Sequence, residues 1–167
     1  FGEQFIGKVD PRTGKHTEYA VPELRGGFPN GNLDLGVDRD GNLLLGMMYQ
    51  GGVARFDRKS EKFQIWQLPP ERLRDNSQLN MVTDKAHVDG KVWMNDAGPS
   101  TLLRLDLASG KFEEFDPLSV LPGGRAGYSI YDVRADSRNN VYVTDFQRNY
   151  VVRVDAKSGA FTAYQTG

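Results

Sequence analysis

Four segments of the chain share one pattern: Ile6-Gly-Lys-Val-Asp10, Val53-Ala-Arg-Phe-Asp57, Leu102-Leu-Arg-Leu-Asp106 and Val151-Val-Arg-Val-Asp155. Their terminal aspartates stand 47, 49 and 49 residues apart, and a cation (Lys8, Arg55, Arg104 or Arg153) lies two positions before each. A period of this length constrains the fold more tightly than composition does. Each unit must be one supersecondary piece that buries its apolar faces only by stacking on its neighbours.

The unit can be read position by position. After each aspartate comes a turn: Pro11-Arg-Thr-Gly14, Arg58-Lys-Ser-Glu61, Leu107-Ala-Ser-Gly110 and Ala156-Lys-Ser-Gly159. An aspartate can accept hydrogen bonds from turn amides, and glycine accepts the positive φ that closes such a turn. An aromatic strand follows, with His16, Phe63, Phe112 and Phe161 six residues after the aspartates and Tyr19, Trp66, Phe115 and Tyr164 nine residues after them. Upstream, Leu43-Leu-Leu, Val92-Trp-Met and Val141-Tyr-Val each begin 14 residues before an aspartate, and polar turns lead into them from short apolar strands at 33–37, 81–86 and 129–135.

One unit therefore predicts strand, polar turn, strand, short loop, strand, aspartate turn, aromatic strand and long loop. Four short antiparallel strands at this period make a blade of a β-propeller. The chain is expected to be all-β: a half blade at 1–22, then full blades at 23–69, 70–117 and 118–167. Three and a half blades leave sheet edges and blade faces uncovered, so the expectation is an excerpt of a larger propeller. The remaining blades or domains of the parent protein, or a partner chain, are the partners this implies.

Composition narrows the function classes. A net charge of −1 offers no electrostatic footprint for nucleic acid. No apolar run reaches the roughly 18–20 residues that span a bilayer, so membrane insertion is not expected. With no cysteine, disulfides, thiolate metal sites and cysteine nucleophiles are excluded.

The wording of the repeat, in GKVDPRTGKHTEYAVP, GGVARFDRKSEKFQIWQLP and VDRDGNLLLG, resembles the streptogramin B (virginiamycin B) lyase-like propellers and, more distantly, the NHL and gluconolactonase-like propellers. The resemblance runs over essentially the whole chain and lies mostly in turns that make the fold. It implies that the larger ring is seven-bladed and that the protein is exported, periplasmic or extracellular. It would also imply a Mg²⁺-dependent opening of a cyclic depsipeptide by His and Glu side chains around the central channel. The lyases' innermost strands commonly read Pro-His-Gly-Ile, whereas the matching stretches here are Asn32-Leu-Asp-Leu35, Met81-Val-Thr-Asp84 and Ile130-Tyr-Asp-Val133. With the motif histidine absent, catalytic residues are not assigned, no cofactor is required, and Mg²⁺ enters only if blades elsewhere carry the lyase chemistry.

Individual candidates have plain structural readings as well. His87 occupies the slot of Asp38 and Asp136 and is expected to cap its turn. His16 occupies a phenylalanine slot and is expected to be half-buried. Asp38-Arg-Asp40-Gly-Asn42 opens like a calcium loop but has Tyr49 where the twelfth-position glutamate belongs, so it reads as a β-turn. The recurrent cations, each in the same strand as a turn aspartate, are expected to pair across the sheet.

The informative positions are those where the repeats differ. Loops after the second and fourth strands emerge on one face of the disc and are long and varied, at 22–32, 69–80 and 116–128, with shorter ones at 46–52, 95–100 and 145–150. Loops on a rigid scaffold commonly carry function. These hold Arg25, Asn30, Asn32, Arg74, Asn76, Asn80, Asn95, Asp96, Arg125, Tyr128, Asp145 and Arg148, a set suited to a polar small molecule, sugar or peptide. Asp34 and Asp132, 98 residues apart on the innermost strands, are either a carboxylate pair near the channel or ordinary rim groups. The reading is a binding or interaction module that uses its variable-loop face. The alternative is a metal-dependent lyase- or lactonase-like enzyme with key residues outside these blades.

Overall fold

The structure is a computed structural model that describes residues 5–167; the first four residues of the half blade expected over 1–22 lie outside the described residues. Fourteen strands form a partial β-propeller. The half blade is β1 (Phe5–Val9) with β2 (His16–Ala20). The first blade contains β3 (Leu35–Val37), β4 (Leu43–Met47), β5 (Gly52–Asp57) and β6 (Lys62–Gln67). The second contains β7 (Leu79–Val82), β8 (Lys91–Asp96), β9 (Thr101–Asp106) and β10 (Phe112–Phe115), and the third β11 (Ile130–Ala135), β12 (Val141–Asp145), β13 (Tyr150–Val154) and β14 (Phe161–Gln165). Each sheet is an antiparallel meander in chain order. The strands expected at 33–37 and 81–86 are shorter than the sequence pattern suggests. In the second blade the chain leaves the sheet after Val82 and makes a one-turn helix, α1 (Ala86–Asp89).

The core lies between blades. Ile6 and Tyr19 pack with Phe56 and Phe63, Leu44 and Trp66 with Leu105 and Phe112, and Trp93 and Phe115 with Val143 and Phe161. The aromatic strand thus alternates: the residue six after the aspartate faces the preceding blade, and the one nine after faces the next. An odd separation on a pleated strand requires this. Trp66 and Phe115 are half-buried in their seams, whereas Tyr164 is 48% exposed because no blade lies beyond it in the described residues. The half-buried position expected for His16 is corrected for the same reason. It is exposed, with Nε2 3.3 Å from Glu18 Oε1, because its side of the half blade faces no neighbour.

The aspartate turns repeat atom for atom. Oδ1 of Asp57, Asp106 and Asp155 each accepts the amide two residues on (3.1, 3.0 and 3.1 Å), the amide three on (2.7, 2.8 and 3.0 Å) and the serine hydroxyl there (2.9, 3.0 and 3.0 Å). The fourth residue after the aspartate is left-handed in every unit, including Glu61 at φ 54°.

The recurrent cations pair in different ways, and Arg104 does so directly across the sheet, with its register partner Glu113. Only Arg153 reaches its own turn aspartate, at 3.0 Å; Lys8 pairs with Glu61, Arg55 with Asp38 and Arg104 with Glu113. Nor does His87 cap a turn. Asp38 and Asp136 each hold the amide and side-chain amide of an asparagine four residues on, Asn42 and Asn140. The second blade has Lys91 in that slot, which pairs with Asp106 instead. His87 therefore sits exposed on α1. Gly46 marks a close backbone approach between blades: a Cβ there would lie 2.4 Å from the Leu79 carbonyl oxygen and 2.8 Å from that of Asn80.

Candidate functional site

The loop face is organised from below by the ends of the second strands. In the first blade, buried Gln50 accepts the amides of Leu24 (2.6 Å) and Arg25 (2.5 Å) and donates to the carbonyls of Arg25 and Phe28. In the second, Asp96 accepts the Gln78 amide at 2.6 Å and the Ser77 hydroxyl at 2.8 Å. In the third, Asp145 accepts the amides of Ser129 (2.8 Å) and Arg148 (2.5 Å). Burial pushes the Asp96 carboxyl above its ordinary range, against the pull of the Gln78 and Ser77 hydrogen bonds. Asp96 and Asp145 are thus loop clamps rather than ligand-facing groups.

Several other predicted residues are also turned inward. Asn95 is fully buried, accepting the Met81 amide at 2.8 Å and donating to the Tyr131 carbonyl at 3.2 Å across the seam. Asn30 is buried and donates to the Val21 carbonyl at 3.2 Å, and Asn80 is buried as well. Asn32 is half-buried, its side-chain amide shielded and without a protein partner. Tyr128, among the loop residues read as candidates for ligand binding, is turned inward as well. It is buried edge-on to Tyr150, with its hydroxyl donating to the Pro122 carbonyl at 3.2 Å.

Of the remaining loop candidates, Asn76 is exposed and the others are arginines. Arg25 stands 4.1 Å over the Phe28 ring and donates to the Tyr49 carbonyl at 3.3 Å. Arg148 lies 4.9 Å over the Tyr128 ring. Arg125 donates to the carbonyls of Pro99 (2.5 Å) and Ser100 (3.2 Å) and stands 3.5 Å from Asp116. Arg74 and Arg72 share the Glu114 carboxylate at 3.1 and 3.2 Å. These guanidinium groups are held by rings and carbonyls while keeping donors free, which lowers the ordering cost of engaging an anionic or hydroxylated ligand.

Towards the axis, β3, β7 and β11 line a concavity of about 330 Å³ formed by residues 35–37, 82–85 and 133–135. Asp34 and Asp132 do come together there, but through a residue the repeat did not single out. Arg134 places Nη1 3.3 Å from Asp34 and Nε 3.1 Å from Asp132. Thr83, in the same slot of the second blade, is buried and accepts the Trp93 amide. The neighbouring Asp84 pairs with Lys85 at 2.7 Å. The Mg²⁺ implied by the sequence resemblance does not fit this wall. Both carboxylates already serve a guanidinium, and among the described residues no third carboxylate or imidazole joins them.

No protein-family model matches the chain, and no curated protein matches its sequence. Solved structures do. A streptogramin B lyase structure superposes with a TM-score of 0.76 at 21% identity, covering 98% of this chain and 48% of that one. The virginiamycin B lyase from Staphylococcus aureus gives 0.74 at 21%, covering 98% and 49%. The extracellular domain of a one-component system from B. thetaiotaomicron gives 0.66 at 14%, covering 98% and 20%. The chain thus spans about half the length of the lyase structures it matches, and these likenesses establish the fold alone.

Proposed function

We propose that the chain is a binding and interaction module whose variable-loop face takes a polar, anionic ligand or an acidic surface of a protein partner. The carrying observation is the set of guanidinium groups of Arg25, Arg74, Arg125 and Arg148, held on one face by aromatic rings, carbonyls and a shared carboxylate. On the other face, the aspartate turns spend their oxygen lone pairs on their own backbone amides. A location outside the cytoplasm goes with this reading and draws support from the extracellular domain among the similar structures.

Immobilised acidic peptides and anionic oligosaccharides test it. Arg125→Glu should weaken retention several-fold by replacing a donor with a repelling charge, and Lys59→Glu, in an aspartate turn, should leave it unchanged. If Lys59→Glu is the damaging substitution, the binding face is the opposite one. A lyase- or lactonase-like activity, the second reading, draws on the likeness in fold to the lyases. It would place its metal ligands in blades beyond these residues. It predicts a metal-dependent activity of the parent chain that survives Arg125→Glu and is abolished by a chelator.

A further inference from the structure

The seam between the first and second blades holds a cavity of about 200 Å³ on the aspartate-turn face. Its apolar lining is Leu44, Ala86 and Leu107, and its polar lining includes Asp40, Arg55 and His87. Both blades are complete, so the space comes from the residues that meet there. Leu44 stands in the slot that Trp93 fills one repeat later, and Gly90 in the slot of Asn139. Asn139 crosses the later seam, its Nδ2 donating to the Asp89 carboxylate at 2.7 Å and to the Lys91 carbonyl at 3.2 Å. Gly90 has no side chain with which to reach the matching groups, Asp40 and Asn42.

The polar groups of this cavity are free where their counterparts are occupied. Arg104 commits Nε and Nη2 to Glu113 and Nη1 to the Ala156 carbonyl across its seam. Arg55, one repeat earlier, has Gln64 as its register partner in place of that glutamate. It holds Asp38 through Nη2 at 3.0 Å, and its Nε and Nη1 have no partner among the described residues. The Asp40 carboxylate also accepts no hydrogen bond among the described residues. Arg39 stands 4.0 Å from it, and Arg58 binds the Asp40 carbonyl instead.

We propose that this cavity binds a small zwitterion with an apolar body, the chemistry of a free aliphatic α-amino acid. The free donors of Arg55 take the carboxylate, the Asp40 carboxylate takes the ammonium, and Leu44, Ala86 and Leu107 take the side chain. Charge-assisted hydrogen bonds at both ends fix its orientation. The space is smaller than the roughly 300–1,000 Å³ of drug-sized sites, which suits a ligand of amino-acid size. An anion without an ammonium group meets Asp40 uncompensated, and an amine without a carboxylate meets Arg55, so each half of the ligand alone is disfavoured. The cavity lies on the face opposite the variable loops and uses none of their arginines, so it does not depend on the loop-face reading.

Isothermal titration calorimetry of the full chain with L-leucine tests this, against isocaproate, which lacks the ammonium, and isoamylamine, which lacks the carboxylate. Leucine should bind saturably, and each analogue about ten-fold more weakly or worse. Asp40→Asn, at a side chain 66% exposed, should bring leucine down to the affinity of isocaproate. Gly90→Asn should abolish binding, since an asparagine there closes on Asp40 as Asn139 closes on Asp89. Gly90 sits at φ 73° with open space where its Cβ would lie, and Asn139 itself sits at φ 61°. The melting midpoint of that variant should therefore hold or rise. Arg125→Glu should leave leucine binding unchanged. Absence of leucine binding to the unaltered chain overturns the proposal. So do isocaproate binding as tight as leucine, unaltered binding by the folded Gly90→Asn chain, and loss of binding in Arg125→Glu, which would move the ligand to the loop face.

Discussion

The guanidinium of Arg134 lies 3.3 Å from the carboxylate of Asp34, a contact between residues 100 apart in sequence that joins the innermost strands of the first and third blades across the second. Its Nε also binds Asp132. One arginine therefore ties two carboxylates that would otherwise stand near one another on the channel wall. The Arg134 side chain is 64% exposed, so Arg134→Ala should cost no more than about 1 kcal/mol in denaturant melts. Arg134→Glu replaces the tie with a third carboxylate. It should cost more at low ionic strength and recover in part as added salt screens the repulsion. An Arg134→Ala loss well above that of an exposed pair would mean the tie is buried in solution.

How much of this was legible follows from what the repeat records. The aspartate turns, the four-strand units and the alternation of aromatic slots depend on neighbours within one or two blades, and each recurs, so a single sequence displays them several times. Arg134 does not recur: its slot holds Gly36 and Lys85 in the other blades, and only the curvature of the stack brings it to Asp34. Gln50 is similar, because its four loop contacts belong to one blade. Asn95, Asp96 and Asp145 hold neighbouring backbone groups, a role the sequence does not display, since a polar residue in a variable loop gives no sign of whether it clamps the loop or faces solvent. Tyr164 follows the repeat faithfully. Its exposure depends on what lies next to it, which the pattern within a unit does not encode.

Phe115 and Tyr164 occupy the same slot with different neighbours, which makes them a matched pair. Phe115 packs at 5.1 Å on Trp93 and faces the third blade. Phe115→Ala should cost towards the lower end of the roughly 3–5 kcal/mol expected of a buried aromatic. Tyr164→Ala in the same chain should stay within about 1 kcal/mol, as for an exposed side chain. Thermal or denaturant melts of the two variants decide this. Equal costs would mean that the third blade's outer face is already covered in solution.

The aspartate turns make stability depend on acid. Hydrogen bonds from the Ser158 amide and hydroxyl hold the Asp155 carboxyl down at about 2. Asp106 is also held well below the usual range, first by Lys91 and then by Ser109, and Asp57 by Ser60. A carboxylate with a lower pKa folded than unfolded contributes stability that is complete above its unfolded value, about 3.9, and is lost as the pH falls through its folded value. Stability should therefore drop between about pH 4 and pH 2, and Asp155→Asn should flatten that limb. Asp96, raised by burial, has the opposite sign: its penalty sets in as the pH rises past the unfolded value. An acid limb unchanged by Asp155→Asn would show that the turn does not hold its charge.

Glu61 sets two effects against each other at one position. It sits at φ 54° where the sister turns have Gly14, Gly110 and Gly159. A left-handed non-glycine residue costs on the order of 1 kcal/mol, so Glu61→Gly should relieve the turn of the first blade. The same carboxylate accepts the Tyr19 hydroxyl at 2.5 Å and the Lys8 ammonium at 3.2 Å, both on the half blade. These contacts raise the Tyr19 and Lys8 pKa values, in each case chiefly through the hydrogen bond to Glu61. Removing the carboxylate takes away the polar tie between half blade and first blade and leaves the packing of Ile6 and Tyr19 on Phe56. The two effects fall on different parts of the molecule. The first blade gains, while the half blade opens more often, as a weakly held edge unit does. Glu61→Gly should therefore leave the global melting midpoint level or higher, while amides of β1 and β2 exchange faster. The Tyr19 phenol should titrate closer to its ordinary value near 10, followed by phenolate absorbance. A fall in the global midpoint with no change in β1 and β2 exchange would mean that the carboxylate serves the turn itself and that the tie to the half blade carries no weight.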